Sequence, residues 1–255
     1  MSEHVQVTRE SGGVLLLRLA RPEKKNALTG AMYDALTDAL ALADRSDDIG
    51  AVVLSGSGGV FTAGNDIADF MRVVDPAERS EMPASRFIRQ LARTETPLVA
   101  AVDGLAIGVG ATLTLHCDLV YAAAGTTFRM PFVDLGLVPE AGSSFLLPRR
   151  VGVPKSTEIL MLGEPYDAAE ALRLGLVTAV VEPDALLPTA LAAASKLAAK
   201  PRSAIAATRR LIRGDGAELF RAMEAELEAF RLALTSPEAK RAFDTFLSKS
   251  ITSKS

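Results

Sequence analysis

Cysteine and histidine are scarce in this sequence of 255 residues. It contains one cysteine, Cys117, and two histidines, His4 and His116. A single cysteine excludes an internal disulfide and a cysteine metal cluster, and two distant histidines without clustered partners do not suggest a metal site. Because the apolar residues Leu115 and Leu119 lie two positions from Cys117 on either side, we expect a buried thiol. We expect His116 to be packed or hydrogen-bonded within a helix.

The sequence also lacks an excess of positive charge and long apolar runs. Its net charge is −3, which argues against nucleic-acid binding through a broad basic surface but leaves open a local basic patch for a phosphorylated ligand. Its apolar stretches are too short to cross a bilayer, and the N-terminal sequence M-S-E-H-V-Q-V lacks the pattern of a signal peptide. We therefore expect a cytoplasmic protein without nucleic-acid or membrane partners.

Several common site motifs are missing. Gly108-Val109-Gly110 lacks the third glycine of a dinucleotide fingerprint, since Leu113 occupies that place, and no G-K-[ST] phosphate loop is present. Ser143 and Ser144 lie near a glycine, but the G-x-S-x-G nucleophile motif is absent. Dinucleotide-dependent and serine-hydrolase chemistry therefore fit the sequence poorly.

Two turns that contain glycine each follow an apolar strand. Leu98 to Val102 leads to Gly108-Val109-Gly110 and a buried helix, and Ala51 to Leu54 leads to the turn from Phe61 to Asp66. A helix start leaves backbone N–H groups without partners and suits a developing negative oxygen. Two such turns can converge on one oxygen, although the glycines could also serve only close packing.

One carboxylate lies in an apolar run. Glu140 has Leu137, Val138, Pro139 and Ala141 as neighbours in the sequence. Apolar surroundings favour the neutral form of a carboxyl group, which suits it for proton transfer near neutral pH. The alternative is that Glu140 only caps the helix that begins near Ser143.

The remaining segments alternate strands and helices. We predict a helix capped by Thr29, a helix capped by Asp167, a mostly helical chain from Leu186 onward, and a mobile connection over Ala68 to Glu81 that covers a ligand. The predicted strands are Val5–Thr8, Val14–Leu19, Ala51–Leu54, Leu98–Val102, Leu119–Ala122, Thr127–Met130 and Val177–Val181.

The motif order resembles the crotonase superfamily, also called the enoyl-CoA hydratase/isomerase family. Its motifs here are R-P-E-K-K-N-A-L, F-T-A-G-N-D-I, A-A-V-D-G-L-A-I-G-V-G, C-D-L-V-Y-A, L-G-L-V-P-E-A-G-S-S and L-G-L-V, in that order over nearly the whole chain. The resemblance implies an α/β fold, a spiral of ββα units over 1–202 with a C-terminal helical trimerisation region over 203–255. It also implies a homotrimer or a hexamer that is a dimer of trimers.

The same resemblance implies a site for an acyl-CoA thioester, with no cofactor beyond the coenzyme A that the substrate carries. The thioester oxygen would be held by the backbone N–H groups of Asn65 and Val109. Phe243 and Lys249 would reach the ligand of a neighbouring subunit, and Lys24 and Lys25 could equally face solvent. The residues implied in substrate binding are Lys24, Lys25, Ala27, Leu28, Ala63, Asp66, Ile67, Gly110, Pro131, Phe132 and Leu135.

The reaction depends on where the carboxylates lie. Hydratases of this family carry two glutamates, and by resemblance these positions hold Thr112 and Phe132 here. Threonine and phenylalanine substitute poorly for groups that position and deprotonate water. The Δ3,Δ2-enoyl-CoA isomerases use one glutamate at the place of Glu140, which implies that Glu140 moves a proton from C2 to C4. Asp134 is an alternative second acid.

Two other functions stay open at this point. One is an enoyl-CoA hydratase with atypical catalytic residues, which would add water to a 2-enoyl-CoA. The other is a homologue that binds acyl-CoA without catalysis, against which the presence of Glu140 argues.

Overall fold

A computed structural model describes residues 2–69, 82–214 and 216–252, and side chains up to residue 245. The predicted ligand-covering connection lies largely outside these residues. The strands are β1 Val5–Glu10, β2 Val14–Leu19, β3 Ala51–Gly56, β4 Leu98–Val102, β5 Leu105–Ile107, β6 Leu119–Ala123, β7 Thr127–Arg129, β8 Tyr166–Asp167 and β9 Ala179–Val181. The helices are α1 Gly30–Arg45, α2 Pro83–Arg93, α3 Val109–Thr112, α4 Ser143–Thr157, α5 Ala168–Arg173, α6 Pro183–Ala198, α7 Arg202–Arg213, α8 Gly216–Leu234 and α9 Pro237–Thr252.

Six strands form the larger sheet, in the order β1-β2-β3-β4-β6-β9. The β1–β2 pair is antiparallel, and every other neighbouring pair in this sheet is parallel. All five residues of β4 are buried, as expected of an apolar run in a parallel sheet that is covered on both faces. Since β3 and β4 run parallel, the chain leaves both strands at the same edge of the sheet.

Three short strands form a second sheet in the order β5-β7-β8. The sequence analysis predicted β7 but not β5, which follows the turn at Asp103-Gly104 at once. Three residues are too few to show a strand period. Helix α3 begins at Val109, within the predicted Gly108-Val109-Gly110 turn, and continues as a 3-10 segment over Leu113–His116.

Helices cover both faces of the larger sheet. On one face, α1 packs against α2, and the ring centroids of Tyr33 and Phe87 lie 5.5 Å apart. On the other face, buried side chains of α6 join those of β3 and β4. The predicted caps are confirmed: the Thr29 hydroxyl accepts from Met32 N at 3.4 Å, and the Asp167 carboxylate accepts from Glu170 N at 2.7 Å.

The last three helices follow without intervening strands, as predicted. Helix α8 packs on α2 and α4, and α9 packs on the 3-10 segment Val133–Leu135. Helix α7 has no buried residue. Within the described ranges, no helix combines the length and apolar character that a bilayer crossing needs. Cys117 is buried, as expected, and its Sγ lies 3.7 Å from the Leu113 carbonyl oxygen.

Candidate functional site

Main-chain hydrogen bonds hold the two glycine-containing turns side by side. Thr62 N donates to Leu105 O at 2.9 Å and Ile107 N donates to Thr62 O at 3.1 Å, so Thr62 and Ala106 form a parallel bridge. Asn65 is the third residue after Thr62, and Val109 is the third residue after Ala106. From this parallel bridge the two chain segments run in the same direction. The Asn65 turn therefore lies next to the start of α3.

The backbone N–H groups of Asn65 and Val109 find no acceptor within the part of the chain that the structure describes. A second parallel bridge joins Leu28 to Asn65, and it uses the Gly64 carbonyl and the Asp66 N–H. In a parallel bridge the central residue directs its own N–H away from that partner strand. Val109 is the first residue of α3, so its N–H has no partner in the helix. Both groups are thus free to donate to a ligand.

Glycine permits the close approach of these turns. A Cβ on Gly110 would lie 2.5 Å from Thr62 Cγ2 and 3.1 Å from the Thr62 carbonyl oxygen. Gly64 has a φ of +91°, and a Cβ there would lie 2.8 Å from the Ile107 carbonyl oxygen. The two glycines therefore allow the Asn65 turn to contact the start of α3. A side chain at either glycine would obstruct this contact.

The Asn65 side chain points to a partner that the sequence analysis missed. Its Oδ1 accepts a hydrogen bond from the hydroxyl of Tyr33, a buried residue of α1. Burial, and to a smaller extent the negative charge of Glu140, raises the pKa of Tyr33, so this hydroxyl keeps its proton and donates it. Tyr33 follows Met32 in α1. Because it lies among the buried residues of this helix, its position in the sequence indicates only a core residue.

Glu140 is buried beside the same two turns, with 5% of its surface exposed. Its Oε1 accepts a hydrogen bond from Thr112 Oγ1 at 3.1 Å, and Thr112 ends the short helix that Val109 begins. Its negative charge also acts on Tyr33, whose hydroxyl donates to Asn65. Burial raises the pKa of Glu140 to about 7, the Thr112 hydrogen bond opposes this, and the Glu226 carboxyl adds to it. A carboxyl group with that pKa both accepts and returns protons at neutral pH.

The structure resolves the alternative that Glu140 caps a helix. Helix α4 begins at Ser143, but the N–H groups at its start donate to another carboxylate: Gly142 N to Glu226 Oε2 at 2.6 Å, and Ser144 N to Glu226 Oε1 at 2.8 Å. The Glu140 side chain instead bonds Thr112. Its carboxylate is therefore available at the site.

Glu226 is a second buried acid that the sequence analysis missed. It shares the buried face of α8 with Met223, Phe230 and Leu234. The signal that could have found it is an acidic residue at a position where the helical period requires an apolar one.

His116 lies where the sequence analysis expects it, buried in the 3-10 segment. Its Nε2 donates to the Ala141 carbonyl oxygen at 2.7 Å. Burial lowers the pKa of His116 to about 4, so the ring is neutral at physiological pH. No group of three or more His, Cys, Asp or Glu side chains within the described ranges is arranged to hold a metal ion.

The segment with the predicted coenzyme A contacts lies against the Asn65 turn. Ala63 N donates to Lys25 O at 2.9 Å, and Leu28 N donates to Gly64 O at 2.8 Å. Lys24 and Lys25 are exposed, and Ala27 and Ala63 are half-buried. The structure thus brings this group of predicted residues together, with the two lysines at its solvent side.

Asp66 and Ile67 follow Asn65. Asp66 accepts from Arg21 Nη1 at 2.7 Å. Burial opposes ionisation of this carboxyl, but the Arg21 hydrogen bond and backbone donors outweigh it and lower the pKa of Asp66. Ile67 is half-buried against the core. Asp66 therefore holds the turn to the Arg21 segment.

The predicted residues after β7 precede Glu140 in the sequence by five to nine positions. Phe132 is buried, and Pro131 and Leu135 are half-buried. The alternative acid, Asp134, is exposed and pairs with Arg129 Nη2 at 2.9 Å. The structure does not bring Asp134 together with Glu140.

Of the two C-terminal candidates, Phe243 is the one whose side chain the structure describes. Phe243, on α9, is buried in the core of its own chain with 3% of its surface exposed, because α9 folds back onto the 3-10 segment Val133–Leu135. That Phe243 reaches a neighbour's ligand stays a prediction. The side chain of Lys249 lies outside the described residues.

Comparison with known proteins gives a consistent family. The family model described as enoyl-CoA hydratase/isomerase matches residues 9–252. The 1,2-epoxyphenylacetyl-CoA isomerase of Escherichia coli is 35% identical over 93% of each chain. Enoyl-CoA delta isomerase 2 of Rattus norvegicus is 34% identical over 97% of this chain and 64% of its own length.

A solved structure gives the same result for the fold. The crystal structure of an enoyl-CoA hydratase/isomerase from Pseudoalteromonas atlantica is 41% identical, with a TM-score of 0.91 over 97% of this chain and 98% of that one. Relatives named as probable enoyl-CoA hydratases match at similar identity. The predicted α/β crotonase fold is therefore confirmed, and the chain belongs to the enoyl-CoA hydratase/isomerase family.

Proposed function

We propose that this enzyme shifts the double bond of a 3-enoyl-CoA to give a 2-enoyl-CoA, with Glu140 as the proton carrier. One observation carries the proposal: Glu140 is a buried carboxylate with a pKa of about 7, linked through Thr112 to the helix that presents the Val109 N–H. A base of this kind beside unpaired backbone donors suits proton abstraction next to a thioester carbonyl.

The reaction needs one base and one oxyanion site. The Glu140 carboxylate takes a proton from C2, and the electrons of the broken C–H bond form a dienolate that runs from the thioester oxygen to C4. The N–H groups of Asn65 and Val109 donate to that oxygen, and each such donor typically lowers the barrier by about 2.7 to 4 kcal/mol. Protonation at C4 by Glu140 leaves the double bond between C2 and C3, so atoms and charge balance.

The surroundings of Glu140 favour isomerisation over hydration. Hydration requires groups that hold and activate a water molecule, and the two positions that carry glutamates in family hydratases hold Thr112 and Phe132. Thr112 donates its hydroxyl to Glu140, and Phe132 is a buried apolar side chain. An apolar wall limits the access of water to the dienolate. Asp134 is exposed and paired with Arg129, which argues against it as a second acid.

Product analysis tests the proposal directly. The purified protein is incubated separately with a 3-enoyl-CoA and a 2-enoyl-CoA, and the products are separated and weighed by mass spectrometry. We expect the 3-enoyl-CoA to yield a 2-enoyl-CoA of equal mass. A product heavier by one water would instead establish the hydratase, and binding of acyl-CoA without any turnover would establish a non-catalytic homologue.

We also propose that the chain assembles as a homotrimer, alone or paired into a hexamer. Leu211 and Ile212 at the end of α7 are 84% and 80% exposed in the single chain. Adjacent exposed apolar residues on a helix with no buried residue favour contact with another subunit. Sedimentation equilibrium gives the mass of the assembly, and a monomer would contradict this proposal without affecting the proposed reaction.

A further inference from the structure

The turn that carries Glu140 has an uncommon backbone. Ala141 has a φ of +58° and Gly142 has a φ of +70°, so two consecutive residues lie in the left-handed region. A residue with a Cβ is uncommon there and costs on the order of 1 kcal/mol or more, which the surrounding structure must offset. The strained residue directly follows the carboxylate of the site.

Two buried polar side chains hold this turn by hydrogen bonds. One, His116, precedes the turn in the sequence, and the other, Glu226, follows it. His116 donates to the Ala141 carbonyl oxygen at 2.7 Å. Glu226 accepts from Gly142 N at 2.6 Å, from Ser144 N at 2.8 Å and from Ser144 Oγ at 2.5 Å. Both Glu226 oxygens are thus used as acceptors, which suits an ionised carboxylate. Burial raises the pKa of Glu226, and these hydrogen bonds from Ser144 and Gly142 oppose that rise.

Glu226 has no cationic partner within the described residues. Several charged side chains on α8 and on the helices that pack against it are engaged with other groups. They form the ion pairs Arg86–Asp34, Arg89–Glu224, Arg149–Glu218 and Arg241–Glu238, and Arg93 lies over the Phe220 ring at 5.7 Å. Glu140 itself accepts a hydrogen bond from Thr112, and its charge acts on Tyr33. A negative charge on Glu226 therefore acts on Glu140 without compensation from a nearby salt bridge.

We propose that Glu226, on the C-terminal helix α8, is a positioning residue that fixes the Glu140 carboxylate for proton transfer. It acts in two ways. Its three hydrogen bonds hold the strained turn, and its like charge disfavours ionisation of Glu140. The C-terminal helices then contribute to catalysis within one chain, in addition to any part in assembly.

This inference rests on the proposed role of Glu140 as the base, and a set of variants separates the two ideas. Glu226→Gln keeps the length of the side chain and removes its charge. Glu226→Asp keeps the charge on a shorter arm. Glu224→Gln is the matched control, because Glu224 lies on the same helix, is exposed, and pairs with Arg89. Thermal unfolding establishes that each variant is folded.

The readouts are kcat and KM of isomerisation as functions of pH. For Glu226→Gln we expect kcat to fall about tenfold with KM unchanged within about twofold, and the acidic limb of the kcat profile to move about half a unit to one unit lower. For Glu226→Asp we expect the loss of kcat with the acidic limb at its original pH. Glu224→Gln should alter neither quantity.

Two outcomes would overturn the inference. One is a Glu226→Gln enzyme with the original kcat and acidic limb, and the other is a variant that loses only thermal stability. Infrared titration of the Glu140 carboxyl band, identified by its loss in Glu140→Gln, measures the same shift without turnover. If Glu140→Gln remains fully active, the proposed function fails, yet this titration still decides whether Glu226 controls the ionisation of Glu140.

Discussion

The two halves of the site are held in place by different kinds of interaction. The Asn65 and Val109 turns are held by main-chain bridges, and they present main-chain N–H groups. The Glu140 turn is held by the buried side chains of His116 and Glu226. Since backbone donors exist whatever the side chain, the first half should tolerate substitution wherever there is room for a Cβ. The second half depends on individual functional groups and should fail when one is removed.

The most severe test removes the base. We expect Glu140→Gln to lower kcat for 3-enoyl-CoA isomerisation by about 1,000-fold or more, because general acid–base catalysis contributes roughly 100- to 10,000-fold. Affinity for a non-reacting acyl-CoA, measured by calorimetry, should stay within about twofold, since the N–H donors remain. Activity close to that of the original protein would assign the proton transfer to another group.

The next test introduces a Cβ between the two turns that present the Asn65 and Val109 N–H groups. In Gly110→Ala the new Cβ would meet Thr62 Cγ2 at 2.5 Å, so the two turns must separate. We expect kcat/KM to fall about 100-fold, which corresponds to the loss of one oxyanion donor, while the acidic limb of the pH profile keeps its position. The control is Gly30→Ala, whose Cβ would meet only Pro83 and Asp69 at 3.5 Å or more. Equal effects in both variants would contradict the assignment.

A smaller effect concerns stability. Burial raises the pKa of Glu140 from 4.5 to about 7, so the folded protein holds this proton more tightly than the unfolded chain does. The stability gained from this is fully present below pH 4.5 and is lost as the pH rises through 7. Glu140→Gln should therefore be more stable than the original protein by about 3 kcal/mol at pH 8, and this gain should vanish near pH 4. Urea unfolding at both pH values measures it, and a gain independent of pH would exclude this origin.

The mildest change should be Asn65→Ala. It removes a side chain whose hydrogen-bond partner is Tyr33, and it leaves the backbone N–H in place. We expect kcat to change less than about threefold, with a stability loss of about 1 kcal/mol. Steady-state kinetics and thermal unfolding provide the two numbers. A loss comparable to that of Gly110→Ala would show that the side chain, rather than the main chain, supports the reaction.

The same division explains what the sequence could predict. Glycine turns after apolar strands, and an acidic residue within an apolar run, are local patterns, so both turns and Glu140 could be identified from the chain alone. The caps at Thr29 and Asp167 are local as well, and the structure confirms them. Family resemblance supplied the fold, which neither composition nor periodicity could specify.

The residues that sequence reasoning missed are those defined by long-range contacts. Glu226 meets Gly142 across more than 80 positions of the chain, and Tyr33 meets Asn65 across 32. The sequence around Glu226 or Tyr33 does not indicate which residue each one contacts. Strand β5 was missed for a related reason, because its three residues become a strand only through pairing with β7.

The lone thiol offers a probe that requires no engineering. Cys117 ends the segment that starts at Val109, and burial raises the pKa of its thiol to about 12. An alkylating reagent can modify it only in molecules where this segment has opened to solvent. The labelling rate of the native enzyme thus measures how often this segment opens by local unfolding. A bound acyl-CoA should lower this rate.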